Sequence, residues 1–214
     1  AYEPDRDTQL DLIHAEHLFR PSTTRIGVRR DVYLRGYAYH FIEQFAPHLT
    51  RPVVEQALAK HGFAVTDLQA IVGRGGALKP IAGGTYMVNA AMVDDLHHHV
   101  QVHHASNLGG LIALGIAEPC GLPAFIVDPV CVDELEPIAR ISGWPEMPRR
   151  SIFHALNLKA TARRAAHDLG KSVDEVTLVM GHLGGGISFT VQQNGRMIDV
   201  INPMDGGALS PERA

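Results

Sequence analysis

Four short apolar runs in the sequence, each typical of a buried strand, end in a loop that carries a charged residue or a histidine. Arg74 follows the first run, Asp128 the second, His182 with three glycines the third, and Asp205 the fourth. In open α/β sheets, ligands collect at the ends of the strands. A buried strand that delivers a polar residue at its last position also fixes that residue in place. The pattern therefore predicts an α/β fold with a ligand site at these strand ends.

Helical segments alternate with the strands, as they do in α/β proteins. We expect helices over Arg30–Phe45, from an N-cap at Thr50 to Gly62, around Asn107–Glu118, and over Ser151–Leu169. We expect strands over Leu68–Val72, Ala124–Val127 and Val176–Met180, followed by a hairpin of Ile187–Val191 and Met197–Ile201 that turns at Asn194-Gly195. The segment Thr8–Leu18 is ambiguous between strand and helix.

The composition excludes several classes of protein. The 214 residues are 45% hydrophobic and 20% charged, as is typical of soluble globular proteins. A formal charge of -4 offers no basic surface to nucleic acid or to an anionic membrane. The early acidic residues exclude a signal peptide, and the longest apolar stretch is too short to cross a bilayer. We therefore expect a cytoplasmic protein that binds neither nucleic acid nor membrane.

Cysteine and histidine offer little support for a metal site. The sequence has 2 cysteines and no CxxC motif, so neither a disulfide framework nor a thiolate zinc site is indicated. Five histidines lie close together, namely His97–His99, His103 and His104. Adjacent residues on a helix point in different directions and chelate one ion poorly, so we favour a solvated turn or a helix end over a metal site here.

The polar residues at the strand ends, and His154 in the first turn of a predicted helix, each allow two interpretations. Gly184–Gly186 could wrap backbone N–H groups around phosphate oxygens, or could simply form a turn. Arg74 could bind a carboxylate or a phosphate, or could be a surface arginine in a loop. Asp128, between a valine and a proline, could be a functional acidic residue or could simply terminate its strand in a turn. His154 could stabilise charge or could cap the helix that follows it.

The order of these motifs resembles that of the butyrate kinases, a branch of the superfamily that also contains acetate kinase, sugar kinases, heat-shock chaperone ATPases and actin. The resemblance extends from Gln69 to the C-terminus, through VGRGGALKPIAGGTYMVN, HHASNLGGLIALGIA, PAFIVDPVCVDEL, ARISG, RRSIFHALNLKATAR, GHLGGGIS and DGGALSPER. It implies an actin-like (ribonuclease H-like) ATPase fold, with a mixed sheet flanked by helices. It also implies transfer of the ATP γ-phosphate to a short-chain carboxylate, butyrate or a branched analogue, with Mg²⁺ as cofactor.

The resemblance implies a role for each residue that matches a family motif. Arg74 and Arg213 would hold the carboxylate and stabilise the phosphoryl group. Asp128 would be linked to Mg²⁺ and to substrate orientation, and His154 would donate to the transferring phosphoryl group. The remaining roles fall in two further motifs: the acyl end of the substrate would contact His104 and Asn107, and the nucleotide phosphates would contact His182, Gly184, Gly185 and Gly186.

This set of residues suits phosphoryl transfer better than hydrolysis or redox chemistry. Phosphoryl transfer requires positioning and neutralisation of charge rather than a strong base. A carboxylate nucleophile is already ionised at neutral pH. Two arginines, a histidine and Mg²⁺ would offset the charge of the two anions that must meet.

The sequence departs from the family pattern at both ends. The first phosphate loop, Asn-Pro-Gly-Ser-Thr-Ser-Thr-Lys in the family, is absent, and the second actin-like half with its adenosine pocket does not follow SPER. We expect an N-terminal actin-like domain over residues 1–175 and the start of a second, incomplete domain over 176–214. The alternative to a kinase is a fragment or degenerate member that folds, cannot bind ATP and acts only by association. A homodimer is expected for the full-length family protein.

Overall fold

A computed structural model describes residues 10–13, 26–29, 50–102, 104–184 and 186–202. The strands are β1 Leu10–Ile13, β2 Ile26–Arg29, β3 Ile71–Arg74, β4 Thr85–Met87, β5 Ala124–Val127, β6 Thr177–Leu183, β7 Ile187–Gln193 and β8 Arg196–Ile201. The helices are α1 over residues 50–60, α2 Ala90–His97, α3 Leu108–Ala117 and α4 Ala155–Asp168. The chain forms two compact units, one of residues 1–71 with 111–123 and one of residues 72–110 with 124–214. The predicted domain boundary at residue 175 stays a prediction.

The first unit contains the strand pair β1–β2 and helix α1. The two strands are antiparallel, with Leu10 opposite Arg29 and Ile13 opposite Ile26, which resolves the ambiguity of the first segment in favour of a strand. Helix α1 ends before Gly62, whose φ of 78° lies in the left-handed region that glycine tolerates. Thr50 lies within the helix rather than before it as a cap. The predicted helix over Arg30–Phe45 lies outside the described residues.

The second unit contains two three-stranded sheets, and the first has the order β3-β5-β4. Strand β5 has the predicted bounds, and it pairs with β4 in antiparallel fashion, with Tyr86 opposite Ile126. Strand β3 begins three residues later and ends two residues later than predicted. Arg74 is therefore its last residue rather than part of a loop. Strand β4 and helix α2 were not predicted, because neither is flagged by a long apolar run.

The second sheet has the order β6-β7-β8 and is antiparallel throughout. Asn194 and Gly195 turn between β7 and β8 with φ of 50° and 74°, as a type I′ turn requires, so the predicted hairpin is confirmed. Strand β6 continues to Leu183, three residues beyond the predicted end, and thereby includes His182. One face of β6 remains open to solvent, with Val179 80% exposed and Leu183 75% exposed.

Helix α4 begins four residues later than predicted, because the preceding residues are fixed in a non-helical conformation. Ser151 is buried and its hydroxyl donates to the Val132 carbonyl at 2.6 Å. Phe153 is 1% exposed and packs in a core with Leu158 and Ala162 of the helix. Burial of an aromatic side chain of this size is worth about 2–3 kcal/mol. The packing of Phe153 therefore determines where the helix can start.

A buried ion pair attaches α4 to the second sheet. The Nζ of Lys159 donates to both carboxylate oxygens of Glu134, at 3.0 and 2.9 Å. Glu134 also accepts from the backbone N–H of Gly83 at 2.9 Å and of Met197 at 2.7 Å, and Lys159 reaches the Gly195 carbonyl at 3.3 Å. Burial opposes ionisation of Glu134, but these donors outweigh it and hold its pKa below the ordinary value. Both charges are thus paired and hydrogen-bonded inside the protein.

No described helix has the length and apolar character needed to cross a membrane.

Candidate functional site

Arg74 stands at the end of β3, where three glycines keep the surrounding backbone close. A side chain at Gly75 would bring its Cβ within 2.7 Å of the Pro129 Cβ. A side chain at Gly109, in the first turn of α3, would collide with the carbonyl oxygen of Arg74 itself. Gly76 is equally confined, against Leu96. Glycine at these three positions therefore allows the backbone around Arg74 to pack closely against its neighbours.

Asp128 follows β5 and is held from both sides by hydrogen bonds. Its Oδ1 accepts from the Gly84 N–H at 2.8 Å, and its own N–H donates to the Gly84 carbonyl at 2.9 Å. Its Oδ2 accepts from Arg163 of α4 at 3.1 Å, and the residue is 2% exposed. Asp128 has a φ of 40°, a conformation that costs about 1–2 kcal/mol for a residue with a side chain. These bonds hold Asp128 in that strained conformation.

His154 and His182 stack face to face, with ring centroids 3.7 Å apart and planes 8° from parallel. His154 is the residue before α4, and His182 lies on β6. Burial, followed by the nearby charges of His182, Arg74 and His104, lowers the pKa of His154 from 6.5 to about 4. His154 is therefore neutral at physiological pH.

Each ring of the pair has a hydrogen-bond partner that the sequence analysis did not identify. The Nδ1 of His154 lies 2.8 Å from the Ser188 hydroxyl, and the Nδ1 of His182 lies 3.1 Å from the Asn157 Oδ1. Ser188 follows the glycine loop on β7, and Asn157 lies three residues after His154, in the first turn of α4. The spacing His154-x-x-Asn157 is visible in the sequence, whereas the contact of His154 with Ser188 depends on the tertiary fold.

One cavity in the second unit brings several of the predicted residues together. Arg74, Asp128 and His154 line it, together with the start of α4 at Ala155 and Asn157. The first turn of a helix presents free backbone N–H groups and the positive end of the helix dipole. The side chain of Arg74 makes no hydrogen bond or ion pair with the part of the chain that the structure describes. The N–H of Ala155 already donates to the Phe153 carbonyl at 2.8 Å, so the cavity offers an anion the Arg74 cation and the positive end of the α4 dipole.

The remaining predicted residues have other surroundings. His104 is exposed, and its Nδ1 lies 2.8 Å from the Ser106 hydroxyl and accepts from the Ser106 N–H at 3.1 Å. Asn107 is fully buried: its Oδ1 accepts from the Ala77 N–H at 2.9 Å and its Nδ2 donates to the Val102 carbonyl at 3.1 Å. These contacts give Asn107 a structural role in holding the loop after Arg74. Contact of His104 and Asn107 with a substrate stays a prediction.

The glycine loop and the C-terminal arginine are only partly described. The N–H of Gly184 faces the Gly186 carbonyl at 3.3 Å, while Gly185 lies outside the described residues. Arg213 and Asp205 also lie outside them. Nucleotide binding by His182 and Gly184–Gly186, and the role of Arg213, stay predictions.

The described residues do not fit a metal ion bound directly to Asp128. Both of its carboxylate oxygens are engaged, and the guanidinium of Arg163 competes with a cation for Oδ2. No group of three or more His, Cys, Asp or Glu side chains converges on one point within the described ranges. The contacts of Asp128 thus fit an acceptor for Gly84 and Arg163 rather than a metal ligand.

Comparison with solved structures identifies the fold. The chain superimposes on acetate kinase from Porphyromonas gingivalis with a TM-score of 0.58 at 18% identity, over 90% of this chain and 51% of that one. It superimposes on a propionate kinase from Francisella tularensis with a TM-score of 0.50 at 16% identity, over 89% and 50%. These matches confirm the predicted actin-like α/β fold.

Comparison of sequences identifies the relatives. Residues 146–208 match the acetokinase family. The chain is 52% identical over 165 residues to a probable butyrate kinase from Clostridium botulinum, covering 77% of this chain and 46% of the relative. It is 51% identical over 173 residues to butyrate kinase 2 from Clostridium acetobutylicum, covering 80% and 48%. The resemblance is thus confirmed, and the chain is a homologue of the butyrate kinases that spans about half of their length.

Proposed function

We propose that the chain belongs to a short-chain carboxylate kinase, which transfers the γ-phosphate of ATP to a carboxylate and yields an acyl phosphate and ADP. The observation that carries the proposal is the convergence of Arg74, neutral His154 and the start of α4 on one cavity. The names of the sequence relatives favour this activity over the alternative of a chain that acts only by association. Butyrate or a branched analogue is the expected substrate, because those relatives are named as butyrate kinases.

In the proposed reaction, an oxygen of the carboxylate attacks the γ-phosphorus in line with the bond to the β-phosphate oxygen, and that bond breaks to release ADP. The carboxylate is ionised at neutral pH, so no general base is needed. Arg74 offsets the negative charge that accumulates as the two anions approach. A neutral imidazole at His154 donates a hydrogen bond to a phosphoryl oxygen without transferring its proton. Arg213 would add a second guanidinium, as the resemblance implies.

ATP and Mg²⁺ rest on the resemblance to the family. The loop Gly184–Gly186 is the expected contact for the nucleotide phosphates. Magnesium commonly binds proteins through one or two carboxylates together with substrate phosphates. A homodimer and a cytoplasmic location also stay predictions, and light scattering on the purified protein tests the first of them.

Hydroxamate trapping of acyl phosphate tests the proposal, with Mg-ATP and a series of carboxylates from acetate to valerate. We expect product with butyrate or a branched neighbour, and its loss in Arg74→Ala. Arg164→Ala is the matched control, because Arg164 is an exposed arginine of α4 that pairs only with Asp168 among the described residues. The assay is run on a protein of the relatives' full length that contains this chain, because the chain spans about half of them. No product with any carboxylate from that folded protein, or full activity in its Arg74→Ala variant, would contradict the proposal.

A further inference from the structure

The hydroxyl of Ser188 lies between two nitrogen atoms of the same residue. Its Oγ is 3.4 Å from the backbone nitrogen of His154, which donates to it, and 2.8 Å from the ring Nδ1 of His154. Ser188 is fully buried. Neither the resemblance nor the sequence relatives give this serine a role.

The donors and acceptors at Ser188 determine which ring nitrogen of His154 carries the proton. A serine hydroxyl has one proton to donate, and a buried hydroxyl almost always finds an acceptor for it. Within the described ranges, the one acceptor that the Ser188 hydroxyl reaches is the Nδ1 of His154, since the other contact is a backbone N–H donor. Nδ1 must then hold a lone pair, which places the ring proton on Nε2.

We propose that Ser188 is a positioning residue that holds His154 in the Nε2–H tautomer, so that His154 presents an N–H donor to the cavity it lines. The Nδ1 edge of the ring is turned to the buried serine, which leaves the opposite edge for the cavity. The importance of this donor for catalysis rests on the proposed function, whereas the tautomer itself does not.

The stacked partner supports the assignment. The Nδ1 of His182 meets the amide oxygen of Asn157, which only accepts, so His182 carries its proton on Nδ1. Two rings 3.7 Å apart would repel each other if both were charged. Arg74 nearby also disfavours a charge on His154. The pair therefore consists of a neutral His154 ring stacked on a ring whose Nδ1 carries a proton.

Nitrogen-15 NMR of the imidazole rings tests the proposal on the purified chain at neutral pH, because protonated and unprotonated ring nitrogens have well separated shifts. The variant His154→Asn identifies the signals of His154 by their loss. We expect the wild-type spectrum to show a protonated Nε2 and an unprotonated Nδ1. Ser188→Ala should convert this to a mixture of tautomers, and Ser188→Thr, which keeps the hydroxyl, should retain the wild-type pattern.

Thr190→Val is the matched control, because it removes another buried hydroxyl from β7. That hydroxyl donates to the Asp199 carbonyl at 2.8 Å and not to His154. It should leave the His154 tautomer unchanged. A wild-type His154 ring protonated on Nδ1 would overturn the proposal, and this result does not depend on whether Ser188→Ala folds. An unchanged His154 tautomer in folded Ser188→Ala would also overturn it. In the trapping assay, kcat of Ser188→Ala should fall about tenfold with KM unchanged. The expected tautomer together with no kinase activity in a folded protein of the relatives' full length would leave the positioning of His154 by Ser188 standing and refute the proposed function alone.

Discussion

Replacing Gly109 by alanine tests how closely helix α3 approaches the backbone of Arg74. Helix propensity alone favours the change, because alanine stabilises a helix interior by about 1 kcal/mol relative to glycine. The structure opposes it. The new Cβ would lie 2.7 Å from the carbonyl carbon of Arg74 and closer still to its oxygen.

The two effects differ enough in size to decide the sign. Carbon atoms in contact prefer separations of about 3.5–4.0 Å, and the Arg74 oxygen lies nearer than its carbonyl carbon, so α3 must retreat by more than about 1 Å. Overpacking of a close-packed interior costs about 1–3 kcal/mol, and a backbone atom cannot rotate away, so we take the upper end. Subtracting the gain in propensity leaves a net loss of about 2 kcal/mol. For a chain of this size the melting temperature should fall by about 4–8 °C.

Thermal unfolding followed by circular dichroism measures the difference. Gly110→Ala is the matched control in the same helix, because its Cβ would meet only side-chain atoms, the nearest being Leu96 Cδ1 at 3.0 Å. We expect Gly110→Ala to melt within a few degrees of the wild type. If Gly109→Ala melts as high as Gly110→Ala, the close contact of α3 with Arg74 is refuted.

Further predictions concern the ion pair, the core and His154. Lys159→Met leaves Glu134 buried without a cation and should lower the free energy of unfolding, measured with urea, by about 3–5 kcal/mol. Glu134→Gln in the same chain should recover part of that loss. A loss below about 1 kcal/mol would contradict the buried pair. Phe153→Ala should cost about 3–5 kcal/mol in the same assay, and Phe63→Ala, at a side chain 55% exposed, should cost far less. The pKa of His154 is about 4 in the fold against 6.5 for an ordinary histidine, so between these values the unfolded chain binds a proton that the folded chain does not. Stability should therefore fall as the pH is lowered from about 6.5 to about 4, and less so in His154→Gln; an NMR titration of His154 with a midpoint near 6.5 would contradict this.

The sequence predicted those elements whose signal is local. The apolar run of β5 and the Asn194-Gly195 turn each depend on neighbouring residues, and both have the predicted positions. The strand ends also pointed to Arg74 and Asp128, which line one cavity together with His154 from the start of α4. Local chemistry was sufficient there because the residue type and its place after a strand carried the information.

The features that the sequence did not predict depend on contacts between distant segments. Helix α4 starts late because Phe153 is held in the core, which no helix propensity reveals. The partners Ser188 of His154 and Arg163 of Asp128 lie 34 and 35 residues away along the chain. The need for Gly109 arises only once α3 is packed against Arg74. Each of these requires the tertiary structure.

The open face of β6 affects how the purified chain will behave in solution. Within the described sheet, β6 is an edge strand, and its seven residues include no Asp, Glu, Lys, Arg or Pro. Natural proteins usually protect such an edge with charge or proline, and an apolar edge without them promotes strand-to-strand aggregation. Concentrated samples should therefore self-associate and precipitate. The substitution Val179→Lys should raise the solubility limit. It should not disturb the cavity that Arg74 and His154 line, because Val179 is not part of that cavity.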